Sequence, residues 1–255
     1  VAVSWLLMML DTQVVTAAIS RKPDAATNTA ALFVLLGLAV WFETPIIDLT
    51  ATATTLARNK PHYLELRRFA FYMVSLVTAV HASVAFTPLY WVATKSLLGL
   101  PHSIATAARL PLMCMVFWPA CIGWRRYCQG VLIGRSQTGF IAAGTALRLA
   151  TLVITAIAMS YSGLSGIAIG GIAMMSAVAA ETVYVHFTAS KKMAATSFRQ
   201  PSEEGIEPLG LRRIALFHLP LTGSTMIAMI SDLLVAAAMA RMSESTLKIA
   251  AFQVG

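Results

Sequence analysis

Charge is what this sequence has least of: only 12% of its 255 residues are charged, about half the share of a soluble domain. A soluble globular domain is excluded by that shortage together with a hydrophobic content of 58%. Acidic groups are scarcer than basic ones, 11 against 19, for a formal net charge of +8. That surplus does not describe a nucleic-acid-binding or disordered basic tail, because the residues around it are too apolar, and no nucleic-acid partner is expected. Cysteine is nearly absent as well. Cys114, Cys121 and Cys128 cannot form a disulfide framework, and no CxxC or HExxH spacing occurs, so neither a metal nor a redox cofactor is expected. No nucleophile stands beside a base, which leaves no catalytic residues and no support for an enzyme. A cleavable leader is not apparent, and Gly255 falls inside an apolar run, so we expect a piece of a longer gene product.

Long hydrophobic runs take the place of charge. A span needs about 20 mostly apolar residues to cross a hydrocarbon core of about 30 Å. Seven runs qualify, near 2–20, 30–57, 69–93, 106–124, 138–160, 165–188 and 214–240, and an eighth opens near Ile249. Each must be helical, since lipid offers the backbone no hydrogen-bond partner and the alternation of a barrel is missing. The expected fold is an all-α polytopic bundle.

Orientation follows from the basic residues. Loops after the second, fourth and sixth runs carry twelve Lys and Arg, among them Arg125 and Arg126, and the other loops carry five. The positive-inside rule then puts the even loops and the N-terminus in the cytoplasm of a cell-membrane protein. The mixed-charge stretch 189–213 reads as a cytoplasmic linker. It divides a six-helix lobe, 1–188, from the start of a second lobe, 214–255.

A weak internal repeat supports two lobes. At an offset of 220, Met8–Leu35 aligns with Ala228–Gly255 with eight of 28 positions identical, placing Arg21 on Arg241 and Asp24 on Glu244. Parallel repeats of this kind are a common transporter plan, which makes the rest of a C-terminal lobe an expected partner alongside the bilayer.

Ionisable groups inside a span cost at least about 2.5 to 3.5 kcal/mol each, so they mark candidate function. These are Asp11, Glu43, Asp48, Arg148, Glu181 and Asp232, with His81 as a packing histidine that can titrate and Arg109 near enough to a span end to snorkel. Arg148 and Glu181 fall about 15 and about 10 Å from the same edge on adjacent helices, which predicts an ion pair. It either locks two helices or couples transport. Thr44, Asp48, Thr52 and Thr55 form one polar stripe suited to water, with Glu43 one position off it beside Pro45. Asp11 and Asp232 are each placed to bind and release a coupling H+ or Na+, the alternative for Asp11 being a hydrogen bond to a neighbouring helix. The cysteines and the Gly163–Gly171 cluster read as small packing residues.

Several of these stretches resemble known families. Arg109 through Phe117, Trp118 and Pro119 to Arg125 or Arg126, then Cys128–Leu132 and Leu147–Arg148, is similar to the progressive ankylosis family, as is Gly163–Gly166 through Glu181 to Lys191 and Lys192. The opening Ser4–Trp5 run with Asp11 and Arg21–Asp24, and the Pro220 region, resemble bacterial members of the multidrug and toxic compound extrusion (MATE) transporters, in the same MOP superfamily. The resemblance covers most of residues 1–195. It implies twelve helices in two pseudo-twofold lobes, a cavity between them, and alternating access driven by H+ or Na+, with Asp11 and Glu43 in the coupling positions.

The expectation is therefore an antiporter or multidrug exporter of small organic ions or drugs. An ankylosis-type exporter of pyrophosphate or organic anions, served by Arg148 and Arg109, and a flippase of lipid-linked oligosaccharides or polysaccharides are the alternatives. The excess of intramembrane acids over arginines favours a cation.

Overall fold

The computed structural model describes residues 2–195, 209–242 and 244–254, and the side chains of 10–193, 209–231, 234–242 and 244–252. All regular structure among them is helical: α1 (Ala2–Ile19), α2 (Ala25–Ile47), α3 (Leu49–Leu56), α4 (Lys60–Phe86), α5 (Leu89–Trp91), a π-helical run Val92–Leu97, α6 (His102–Cys114), α7 (Trp118–Ile133), α8 (Gly139–Ser160), α9 (Gly166–Ala195), α10 (Leu211–Ala240) and α11 (Ser245–Val254). Five helices in the described residues are long and apolar enough to cross a membrane, and α6 with α7 makes a sixth if that bent pair is one span. The chain is an all-α, multi-pass membrane protein.

The helices outrun the apolar stretches. Lys60, Arg67 and Arg68 belong to α4, Lys191 and Lys192 to α9, and Arg212 and Arg213 to α10, so these cations ride on helix ends. The helix α9 continues to Ala195 and α10 begins at Leu211; of the stretch read as a linker, residues 196–208 lie outside the described residues. A larger departure concerns the fourth run. It is two helices meeting at 54°, because Pro111 inside α6 and Pro119 at the start of α7 each lack the N–H that a continuous helix needs there. The break extends the helix to Ile133 and puts Arg125 and Arg126 inside α7, correcting their assignment to a loop. Ten basic residues then remain against five, and the bias keeps its sign.

Close approach depends on glycine at several contacts, two of which join α7 to α3 and α9 to α1. A Cβ on Gly130 of α7 would sit 2.5 Å from the Thr50 carbonyl oxygen of α3, and one on Gly170 of α9 would sit 2.6 Å from Val15 of α1. Across the first contact, Thr50 and Thr54 donate to the carbonyls of Arg126 and Gly130 at 3.2 and 3.1 Å.

The apolar core comes in two parts stacked along the bundle. One holds Ile19, Leu32, Leu35, Ile122, Leu152 and Val178; the other, at the basic end, holds Ile46, Leu66, Val131, Ile141 and Val185. Between them lie buried polar residues from several helices: Asp11 on α1, Glu43 on α2, His81 on α4, Arg125 on α7, Arg148 on α8 and Glu181 on α9.

The helices α10 and α11 pack against opposite halves of α2. The turns entering α2 and α11 match: Asp24 and Glu244, 220 residues apart, both take left-handed backbone, with φ of 56° and 55°. The helices that follow start at 25 and 245, so the aligned stretches share a turn as well as a register.

A buried ion network between the two core layers

The centre of the polar layer is Glu181, fully buried on α9. Arg125 reaches it from α7, Nη1 to Oε2 at 2.5 Å. Gln129, one helical turn further on, donates to Oε1 at 3.3 Å. Arg148 of α8 lies 3.7 Å from the same Oε2 through Nη1, while its Nη2 pairs with Asp11 of α1. Four helices thus meet through two carboxylates and two guanidinium groups, and their formal charges cancel. A buried pair costs several kcal/mol of desolvation per ion before its attraction returns any of it, so this network fixes which helices lie together more than how strongly they do.

Arg148 and Glu181 do pair, and the geometry adds two groups that helix spacing alone did not reach, Arg125 and Gln129. The signal was present in Pro111 and Pro119, eight residues apart in one apolar run, which mark a break and carry the helix inward past Trp124.

Glu43 is buried beside this cluster. It accepts a hydrogen bond from the Trp118 indole, the first residue of α7, and feels the charges of Arg126, Arg125 and Arg148. With Arg125 and Arg126 inside α7, the arginines within the spans rise to Arg109, Arg125, Arg126 and Arg148, against the acids Asp11, Glu43, Asp48, Glu181 and Asp232, which narrows the acidic excess without reversing it.

Of the polar stripe of the second span, Asp48 and Thr52 face α10, while Thr55 is exposed. Thr44 is buried and bonds to the Val40 carbonyl in its own helix at 3.1 Å. Asp48, at the break between α2 and α3, accepts from Thr225 at 2.8 Å. Thr52 lies 2.8 Å from His218 Nδ1, and His218 Nε2 lies 2.7 Å from the Pro45 carbonyl. A carbonyl only accepts, so Nε2 carries the proton, and in the neutral ring Thr52 donates to Nδ1. The side chain of Asp232, in α10, lies outside the described residues.

Two further groups behave as packing elements. His81 is buried, with Nε2 3.3 Å from the Leu112 carbonyl. Arg109 lies over the Trp91 ring, 5.3 Å from its centroid. No cluster of three or more His, Cys, Asp or Glu that could hold a metal occurs among the described residues.

No protein-family model and no curated protein matches the sequence. Solved structures do match. An inward-facing multidrug resistance MATE family transporter of the MOP superfamily superposes with a TM-score of 0.71 at 13% identity, over 98% of this chain and 56% of that one. A chain called protein A gives 0.73 at 11% identity, over 99% and 57%. The chain therefore spans little more than half the length of the structures it resembles. Its backbone has the fold of the corresponding part of a MATE transporter.

Proposed function

We propose that this chain is the first lobe, 1–188, and the opening helices of the second lobe, 214–255, of a MATE-like secondary transporter that moves small organic ions by alternating access. One observation carries the reading: a charge-balanced network joins α1 to α7, α8 and α9 through Asp11, Arg148, Glu181 and Arg125, in a fold shared with a MATE transporter.

The coupling ion in this reading is a proton. A sodium ion wants several oxygen ligands, whereas the Glu181 oxygens already face two guanidinium groups and an amide, and those cations repel another. A proton needs a single carboxylate oxygen. When Asp11 takes one, Arg148 loses its counter-charge on α1 and turns wholly to Glu181, which frees α1 from α8. When Asp11 gives the proton up, the pair re-forms. Arg148 is thus the element that senses the state of Asp11.

The test is uptake into everted vesicles carrying the full-length parent, under an imposed pH or sodium gradient. Asp11→Asn should abolish the response to the pH gradient while substrate still exchanges down its own gradient. Uptake driven by sodium and unaffected by Asp11→Asn overturns the reading.

A second reading, export of pyrophosphate or an organic anion, is favoured by spare donors. Arg125 Nε, Arg126 Nε and Arg148 Nη1 are buried without a hydrogen-bond partner, and an anion would satisfy them. Saturable anion uptake lost on Arg148→Ala, with no uptake of an organic cation dye, distinguishes it.

A further inference from the structure

On the outer side of the same lobe, away from the ion network, α4 and α7 leave a furrow between them. On α4 it is lined by Phe71, Val74, Ser75, Thr78, Ala79 and Ala82, and on α7 by Ala120 and Trp124, with Phe117 just before that helix. Its volume is about 740 Å³. Phe71 and Phe117 are exposed at 58% and 64%, so the furrow opens toward lipid.

Trp124 also lines a second, smaller cavity of about 120 Å³ at the basic end, together with Tyr63, Arg67, Tyr127, His186 and Ser190. The two share Trp124 and lie along the same pair of helices. Positions 63, 67, 71, 74, 78 and 82 follow a single face of α4, and 117, 120, 124, 127 and 131 a single face of the α7 region, each at three- or four-residue spacing. From Phe71 to Ala82 the track runs about 17 Å at 1.5 Å per residue, close to the depth of one leaflet, half of about 30 Å.

The chemistry changes along it. The furrow is apolar. The cavity at its end is mixed, with Val131, Ala189 and Cys128 beside residues that can donate hydrogen bonds or carry positive charge: Arg67, Tyr63, Ser190 and His186. The Trp124 indole donates to His186 Nδ1 at 3.1 Å, so the proton of the neutral imidazole is on Nε2 and is itself a donor. Arg135, just past α7, lies within electrostatic reach of Tyr63 and Tyr127. Glu65, the nearest acid on α4, is engaged with Arg68 at 3.0 Å.

We propose that this track is a binding site for an anionic phospholipid, with the phosphodiester in the Arg67–His186 cavity and one acyl chain along the α4–α7 furrow. Charge complementarity selects a headgroup with no compensating cation. A basic cavity between helices at a membrane surface is the form such recognition takes. The furrow supplies what a free phosphate would not need, an apolar path of one leaflet's length.

The experiment is native mass spectrometry of the full-length chain released from detergent and titrated with dioleoyl phosphatidylglycerol, dioleoyl phosphatidylcholine or inorganic phosphate. One phosphatidylglycerol should be retained in preference to phosphatidylcholine. Arg67→Gln, on an exposed residue, should cut that preference about fivefold, the weight of one surface cation. Ala79→Trp, which fills the furrow from an exposed position, should lower retention of both lipids while the thermal midpoint is unchanged. Equal retention of the two lipids, or Arg67→Gln behaving as wild type, overturns the proposal. So does displacement by inorganic phosphate with no effect of Ala79→Trp, which would make the cavity a free-phosphate site. None of these measurements depends on transport.

Discussion

The ion network and the α2–α10 seam are both polar, the first buried and the second partly so, yet they are built from opposite materials. The network joins α1, α7, α8 and α9 through full charges, with Glu181 engaged by Arg125, Gln129 and Arg148. The seam joins α2 and α3 to α10 through neutral or singly charged hydrogen bonds, His218 to Pro45 and Thr52, and Thr225 to Asp48. Removing one member of the network strands a buried ion-pair partner, whereas the seam bonds hold no ion pair: removing His218 leaves unpaired dipoles, and removing Thr225 takes one donor from the part-buried Asp48. Around Glu181 the first arrangement suits α7, α8 and α9 staying together, with the Asp11–Arg148 pair as the link to α1 that the proposed protonation releases. The second suits surfaces that part and meet again.

That contrast can be broken in order of severity. Glu181→Ala should cost about 3 to 5 kcal/mol, because Arg125 is left buried without a carboxylate. The expected outcome is a large fall in thermal midpoint in detergent, or failure to accumulate, with Glu181→Gln recovering only part of it. His218→Ala removes both its bonds and should cost about 1 to 2 kcal/mol. Hydrogen exchange should rise across residues 211–225 of α10 and stay unchanged in α9. An equal rise in α9 would mean that seam and network form one unit. Thr225→Val is the mildest, about 0.6 kcal/mol for an intramembrane hydrogen bond. A double-mutant cycle with Asp48→Ala on thermal midpoints should recover that coupling, and zero coupling would remove the bond from the seam.

The placement of the helices was largely legible, because lipid demands length and apolarity and the sequence states both openly. The Arg148–Glu181 pair was legible for the same reason, since depth follows from counting residues along straight helices. Arg125 was not. Counting assumes an unbroken span, and the 54° bend between α6 and α7 shifts every later residue inward. Its prolines were in plain view, but their effect on depth depends on how far the second helix runs, which packing decides. The His218–Pro45 bond was hidden for another reason. Its acceptor is a backbone carbonyl beside the α2–α3 break, and no side-chain pattern reports a carbonyl. Gly130 shows the same limit, since its closeness to Thr50 belongs to two helices that sequence spacing does not bring together.

The left-handed acid before α2, repeated before α11, has a consequence for how the protein is made. Asp24 and Glu244 each close a turn of a few residues between two apolar helices, with the same backbone and an arginine at the same place before it. A helix pair so tightly tied can enter the membrane as one hairpin, and the chain offers such a pair twice, 220 residues apart.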